Sequence, residues 1–150
     1  MFLMVDYGIR NYDMHQLSDA HGFVMLYLII FVGIGHLVTE WDDEYGKPVG
    51  TEVSEDRVNE LFDQDVQVTI DECKLLYNNF DELPEEAQQI IANMMFNMGR
   101  PRLSRFHKMK RAVDAGDWEE AGNQMKDSRW YDQVTTRAER LVKRMKAIQV

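Results

Sequence analysis

A single histidine follows two glycines in the segment Gly33-Ile34-Gly35-His36-Leu37, where the residue types most clearly suggest a built site. Two glycines in three positions allow a tight backbone turn, because glycine adopts conformations that other residues avoid. Such a turn can place an imidazole, whose protonation changes near neutral pH. The segment lacks the third glycine and the helix context of a dinucleotide fingerprint, so we expect no nucleotide cofactor there.

The other reactive side chains do not indicate metal chemistry. His15, His21, His36 and His107 show no zinc-ligand spacing with the only cysteine, Cys73. We therefore expect no metal and no cofactor. One cysteine cannot form an intramolecular disulfide, and we interpret Cys73 as a small, partly buried residue rather than as a nucleophile.

The charge is unevenly distributed along the 150 residues, whose net charge is −9. The segment from Arg100 to Val150 holds 13 Lys and Arg against 7 Asp and Glu, whereas the preceding part holds 4 against 19. An acidic protein is a poor general binder of nucleic acid, and the basic run from Arg100 to Arg111 has no interleaved aromatic residue besides Phe106. The basic part either attracts an anionic polymer such as bacterial wall glycan or forms solvated helix faces.

The apolar run from Phe23 to Val32 is about half as long as a bilayer crossing requires, so we expect no stable membrane insertion. Its β-branched residues predict a buried strand. It lacks the basic start and small-residue cleavage site of a signal peptide, which leaves extracellular and host-cell cytoplasmic locations both compatible with the sequence. The first ten residues predict a short helix interrupted by Gly8, and residues 22–49 predict strands and turns.

Helices dominate the remainder of the sequence. Ser54 is typical of a helix N-cap and predicts a helix running toward Tyr77. Apolar residues between Pro84 and Gly99 recur at helical spacing and predict a central core helix. Three more helices are expected over residues 103–115, 118–126 and 136–148. The pattern predicts an α+β fold in which a small mixed N-terminal lobe (1–53) is linked by a long helix (54–80) to a mainly helical C-terminal lobe (81–150). A cleft between two lobes would be a plausible ligand site.

Four motifs in a fixed order carry a family resemblance. The glycine–histidine segment is followed by Leu61–Val66 (LFDQDV), Asn93–Gly99 (NMMFNMG) and Ser128–Tyr131 (SRWY). From Gly33 to about Ala147 the chain resembles the phage-type lysozymes. The resemblance implies a single lysozyme-like domain, a monomer, and inverting hydrolysis of the β-1,4 bond between N-acetylmuramic acid and N-acetylglucosamine in bacterial peptidoglycan, for defence against bacteria or for cell lysis.

The resemblance also places the catalytic positions. The segment Asp6-Tyr7-Gly8-Ile9-Arg10 matches the family's acid motif, and Tyr7 occupies the position of its catalytic Glu. Asp19 matches the second catalytic carboxylate, although the spacing on both sides of it is longer than in the family. Phe31 stands where the family has a Thr just before the glycine–histidine segment.

Supporting positions match more closely. By resemblance, His36 and Asp65 form a buried structural ion pair that ties the two lobes. Positions of the family that bind substrate, by lining the cleft or by lying near the substrate and the acid, are matched by Leu37, Phe96, Asn97, Gln124 and Arg137.

Three hypotheses follow. The chain is a working glycosidase that uses Asp19 with another acid, or a non-catalytic binder of peptidoglycan. Alternatively, the segment before Val32 differs from the natural product, for example through a misread exon boundary, which sequencing the transcript would test.

Overall fold

The computed structural model describes residues 3–5, 30–32 and 36–149 of the chain. These residues are mainly helical, with little strand. The chain divides into two compact units, Met1–Asp65 and Val66–Val150. Among the described residues, no helix has both the length and the hydropathy that a membrane crossing requires.

The N-terminal unit contains a three-stranded antiparallel sheet in the order β1 (Leu3–Val5), β2 (Ile30–Val32), β3 (His36–Leu37). Strand β2 is the end of the apolar run in which the sequence predicts a strand, and residues 23–29 lie outside the described part. The predicted N-terminal helix is wrong over β1. That segment pairs with the apolar strand β2, which satisfies its backbone groups in a ladder rather than within a helix.

Consecutive turns follow β3, as the composition of this segment predicts. The amide of Asp42 donates to the carbonyl of Thr39 over 3.0 Å, and the amide of Tyr45 donates to the carbonyl of Asp42 over 2.9 Å. Two further turns begin at Glu44 and Pro48. The loop from residue 38 to residue 53 is therefore built from short-range turns.

Helix α1 (Glu55–Leu76) begins as its sequence predicts. The Ser54 hydroxyl accepts a hydrogen bond from the amide of Arg57 over 3.2 Å, which satisfies one of the amides left free in a first turn. Within the N-terminal unit, the first two turns of this helix bury Val58 and Leu61 in a small cluster with Val53. Val38 packs against that cluster from the loop.

The C-terminal unit is helical. After the end of α1 come a 3₁₀ turn (Phe80–Glu82) and six helices, which are α2 (Glu85–Met98), α3 (Arg100–Leu103), α4 (His107–Asp114), α5 (Trp118–Lys126), α6 (Arg129–Gln133) and α7 (Thr135–Lys146). Helix α2 is the predicted core helix. All of its apolar residues at helical spacing are buried, namely Ala87, Ile90, Ile91, Met94, Met95 and Met98. Gly99 ends it with a φ of 75°, a conformation that favours glycine.

Two helix predictions differ in detail from the structure. The helix expected over residues 103–115 begins later, as α4, because Phe106 directly before it has a non-helical ψ of 52°. Helix α6 was not predicted. It begins at Ser128, whose hydroxyl accepts from the amide of Tyr131 over 3.2 Å.

Candidate functional site

The three predicted catalytic positions fall at the N-terminal end of the chain. Tyr7 and Asp19 lie outside the described residues. The backbone of Phe31 lies in β2, in register with Met4 on one side and with Leu37 on the other. The roles of these three residues stay predictions.

His36 lies between two carboxylates within the N-terminal unit. Its Nδ1 donates to Oδ1 of Asp65 on α1 over 2.9 Å, since an ionised carboxylate can only accept. On the other side of the ring, Oδ2 of Asp42 lies 3.4 Å from Nε2. The structure therefore brings together His36 and Asp65, which the family resemblance pairs, and adds a second carboxylate to them.

Asp42 is held in place by its own turn. Its Oδ2 accepts from the amide of Thr39 over 2.7 Å and from the hydroxyl of the same residue over 2.8 Å. Burial acts to raise the pKa of Asp42, but the hydrogen bonds from Thr39 and the neighbouring His36 outweigh it and lower that pKa below its usual value. The carboxylate facing Nε2 is thus stabilised in its charged form.

A second ionic contact joins the loop to α1. The Arg57 guanidinium donates to both carboxylate oxygens of Glu44, over 3.1 Å each, and to Oε2 of the exposed Glu60 over 2.8 Å. Only 5% of the Glu44 side chain is exposed. The hydrogen bonds from Arg57 lower the pKa of Glu44, and those to Glu44 raise the pKa of Arg57. Oδ1 of Asp42 lies 3.9 Å from the same guanidinium, so the two contacts are adjacent.

The sequence analysis missed Asp42, Glu44 and Arg57. One signal was available for Arg57, which stands directly after Glu55 and Asp56 in the first turn of α1. A cation is unfavourable there because the helix dipole is positive at that end. A basic residue in that position therefore indicates an acidic partner.

In the C-terminal unit, Asn97 on α2 accepts a hydrogen bond from Nε1 of Trp130 over 2.8 Å. Trp130 is buried, and its indole N–H needs such a partner. The Asn97 side chain is thereby oriented by α6. Its neighbour Phe96 is half-buried on the same helix.

The remaining predicted binding residues are half-buried or exposed. Gln124 on α5 donates to Oε1 of Glu120 over 2.7 Å. Arg137 on α7 and Leu37 on β3 are exposed. Within residues 36–149, no hydrogen bond or ion pair joins Asn97, Gln124 and Arg137 to one another, and their substrate-binding roles stay predictions.

In the part of the chain that the structure describes, no group of three or more His, Cys, Asp or Glu side chains is arranged to hold a metal ion. The thiol of Cys73 is buried, and burial raises its pKa to about 12, which disfavours the nucleophilic thiolate.

Comparisons with known proteins identify several to which this chain is similar. The chain is 29% identical to "Probable T4-type lysozyme 2" of Dictyostelium discoideum in an alignment that covers 74% of this chain and 76% of that protein. It is 27% identical to "Probable T4-type lysozyme 1" of the same organism with the same coverage. It is 26% identical to the pre-baseplate central spike protein Gp5 of Enterobacteria phage T4, over 73% of this chain and 22% of that protein. No family model matches the chain.

These similarities confirm the resemblance to the phage-type lysozymes over most of the chain. A mainly helical chain with a small sheet fits a lysozyme-like fold.

Proposed function

We propose that this chain, a protein similar to the phage-type lysozymes, acts on bacterial peptidoglycan and hydrolyses the β-1,4 bond between N-acetylmuramic acid and N-acetylglucosamine. The observation that carries the proposal is the similarity to two probable T4-type lysozymes over about three quarters of the chain. With it we propose the matching architecture, an α+β fold with lobes at 1–53 and 81–150 linked by the helix over 54–80.

The contacts of His36 support this proposal. The Nδ1 hydrogen bond to Asp65 joins the glycine–histidine segment to the Leu61–Val66 motif, 29 positions further along the chain. Both motifs belong to the resemblance, and the pairing implied for them has a hydrogen bond of 2.9 Å here. His36 and Asp65 are therefore proposed as structural residues that position the segment next to the reacting groups.

Inverting hydrolysis requires two carboxyl groups, one to protonate the leaving oxygen and one to activate water. We propose Asp19 as the second group. Tyr7 stands at the position of the first, and a phenol with a usual pKa near 10 is a much weaker acid than a carboxyl. Efficient proton donation needs a pKa near the working pH. Catalysis by the chain as it stands should therefore be slow.

Tyr7 also favours a second candidate function, a protein that binds peptidoglycan without cleaving it. In that case the residues that resemble substrate-binding positions are retained, while the proton donor is lost. The two functions share a ligand and differ in whether reducing ends are released.

One experiment separates the two candidates. Turbidity of a bacterial wall suspension and release of reducing ends are followed at several pH values from acid to neutral, alongside co-sedimentation with insoluble peptidoglycan. The unmodified chain is compared with Asp19→Asn, with Tyr7→Glu and with Asp63→Asn, a matched control at an exposed carboxylate on α1.

Hydrolysis is supported if lysis occurs, is abolished in Asp19→Asn and persists in Asp63→Asn. The binding function is supported if the chain sediments with peptidoglycan and releases no reducing ends. A gain of lysis in Tyr7→Glu would show that the other groups of the site are intact. A chain that neither lyses nor binds peptidoglycan contradicts both functions.

A further inference from the structure

Four exposed cations lie in the segment that runs from α3 into α4. Arg102, Arg105, Lys108 and Arg111 are all exposed and follow one another at intervals of three residues. We call these four residues the cationic stripe. Among the described residues, none of the four side chains has an ion pair or a hydrogen bond, whereas the neighbouring Arg100 and Lys110 pair with Glu72 and Asp114.

The segment of the chain that carries the stripe contains no acidic residue. No Asp or Glu occurs between Glu86 and Asp114, although the whole chain carries a net charge of −9. Lys108 and Arg111 lie three positions apart on α4 and therefore project from the same face. Met109, Ala112 and Val113 of α4 are buried, so the helix has a buried side and leaves the two cations exposed.

Arg102 and Arg105 continue the stripe toward α3. The amide of Arg105 donates to the carbonyl of Arg102 over 3.1 Å, so a backbone turn holds these two residues together. Exposed acidic groups that lie further from the stripe than the Debye length, about 8–10 Å at physiological salt, are largely screened from it.

We propose that the cationic stripe binds the phosphodiester polymer that is covalently attached to some bacterial walls, and thereby holds the protein on its substrate. The inference rests on the proposed function, which directs the chain to peptidoglycan. Four exposed cations without an ion pair to any described residue, within ten consecutive residues, complement a polyanion, and arginine binds phosphate oxygens with geometric specificity. Because the remainder of the chain is acidic, the interaction depends on the stripe rather than on net charge.

The test is co-sedimentation with two wall preparations, one carrying its phosphodiester polymer and one stripped of it, at NaCl concentrations from about 50 to 200 mM, the range over which phosphate contacts weaken strongly. Two variants are compared. The first is Arg102→Gln/Arg105→Gln/Lys108→Gln/Arg111→Gln. The matched control is Lys126→Gln/Arg129→Gln/Arg140→Gln/Lys143→Gln, which removes four other exposed cations. Circular dichroism and thermal melting verify that both variants fold.

At low salt the unmodified chain should bind the phosphate-bearing wall at least about tenfold more tightly than the stripped wall, and added NaCl should remove that preference. The stripe variant should lose the preference, and the control should keep it. Equal losses in the two variants would overturn the proposal, since net charge would then account for the binding. Stripe-dependent binding to DNA or to phosphatidylglycerol vesicles that is as tight as binding to the wall would also overturn it.

Failure of the inference is distinguishable from failure of the proposed function. Equal binding of the unmodified chain to both walls rejects the stripe as a wall-polymer site and leaves the proposed function standing. Stripe-dependent binding to the phosphate-bearing wall alone supports the stripe and rejects recognition of peptidoglycan. Binding to neither wall rejects both.

Discussion

Two carboxylates bind the same guanidinium in very different surroundings, which allows a matched test of what the buried contact contributes. Arg57 donates to Glu44, whose side chain is 5% exposed, and to Glu60, whose side chain is 57% exposed. Glu44→Gln should lower the free energy of unfolding more than Glu60→Gln does. The amide replaces one acceptor oxygen by a donor that faces another donor, in a place from which water is excluded.

The expected loss in free energy of unfolding follows from how exposed each carboxylate is. A hydrogen bond to a charged group contributes about 1.5–3 kcal/mol, and breaking a fully buried ion pair costs about 3–5 kcal/mol. Arg57 is only partly buried and keeps Glu60, so we expect a loss of about 2 kcal/mol for Glu44→Gln. An exposed pair contributes about 0–1 kcal/mol, and Glu60→Gln should cost about 0.5 kcal/mol.

Urea unfolding followed by circular dichroism measures both losses, and thermal melting provides a second reading. For a chain of this length, about 2 kcal/mol corresponds to a fall in Tm of about 4–8 °C. Equal losses in the two variants would refute the reasoning, because burial would then not distinguish the two contacts. A loss for Glu44→Gln below about 0.5 kcal/mol, the value expected of an exposed pair, would refute it as well.

Three further predictions concern stability and reactivity. Lowering the pH from about 6 to 3 should reduce the free energy of unfolding, because Asp42 and Glu44 have lowered pKa values when folded and bind protons more readily when unfolded. This contribution is present above the ordinary values of 3.8 and 4.5 and is lost as the pH falls through the lowered values, so urea titrations of Glu44→Gln should show a shallower pH dependence than the unmodified chain. Leu61→Ala should cost about 2–5 kcal/mol in the same assay, since Leu61 is fully buried, whereas Leu75→Ala on the exposed side of α1 should change stability by less than about 0.5 kcal/mol. A thiol reagent at pH 8 should modify Cys73 at the rate of unfolding rather than on mixing, and immediate modification of the folded chain would contradict the burial that raises its pKa.

The helices were predictable from sequence because their signals are local. The apolar spacing of α2 and its stop at Gly99 are contained in fifteen residues, and the Ser54 cap is a single-residue signal. The break at Phe106 was not predictable in the same way, because it depends on the backbone conformation of one residue whose type is compatible with a continuous helix as well as with a turn. Helix α6 has a single-residue signal in the Ser128 cap, but its five residues are too few to show a helical spacing of apolar side chains.

Of the two carboxylates that lie next to the His36 ring, one was predicted and the other was not. The pairing with Asp65 followed from the resemblance, which supplies long-range information that spacing alone lacks. Asp42 and Glu44 belong to an acidic, turn-rich segment in which nothing periodic distinguishes a buried carboxylate from a solvated one. Their burial is decided by Arg57, which lies 13 positions after Glu44 in the chain.

Two residues of α1 fix the position of His36, one by direct contact and one through the loop. Arg57 and Asp65 lie eight positions apart, a little over two turns, so they project from similar sides of α1. Arg57 holds the loop at Glu44, Asp65 holds the imidazole, and Asp42 lies within 3.9 Å of the guanidinium and 3.4 Å of Nε2.

The apolar cluster beneath the loop is small, since only Val53, Val58 and Leu61 are buried in it. Burial of these three side chains keeps the loop against α1, but it does not fix the orientation of the loop relative to the helix, because the hydrophobic effect is non-directional. The ionic contacts are directional, and they are therefore what sets the orientation of the His36 ring relative to α1.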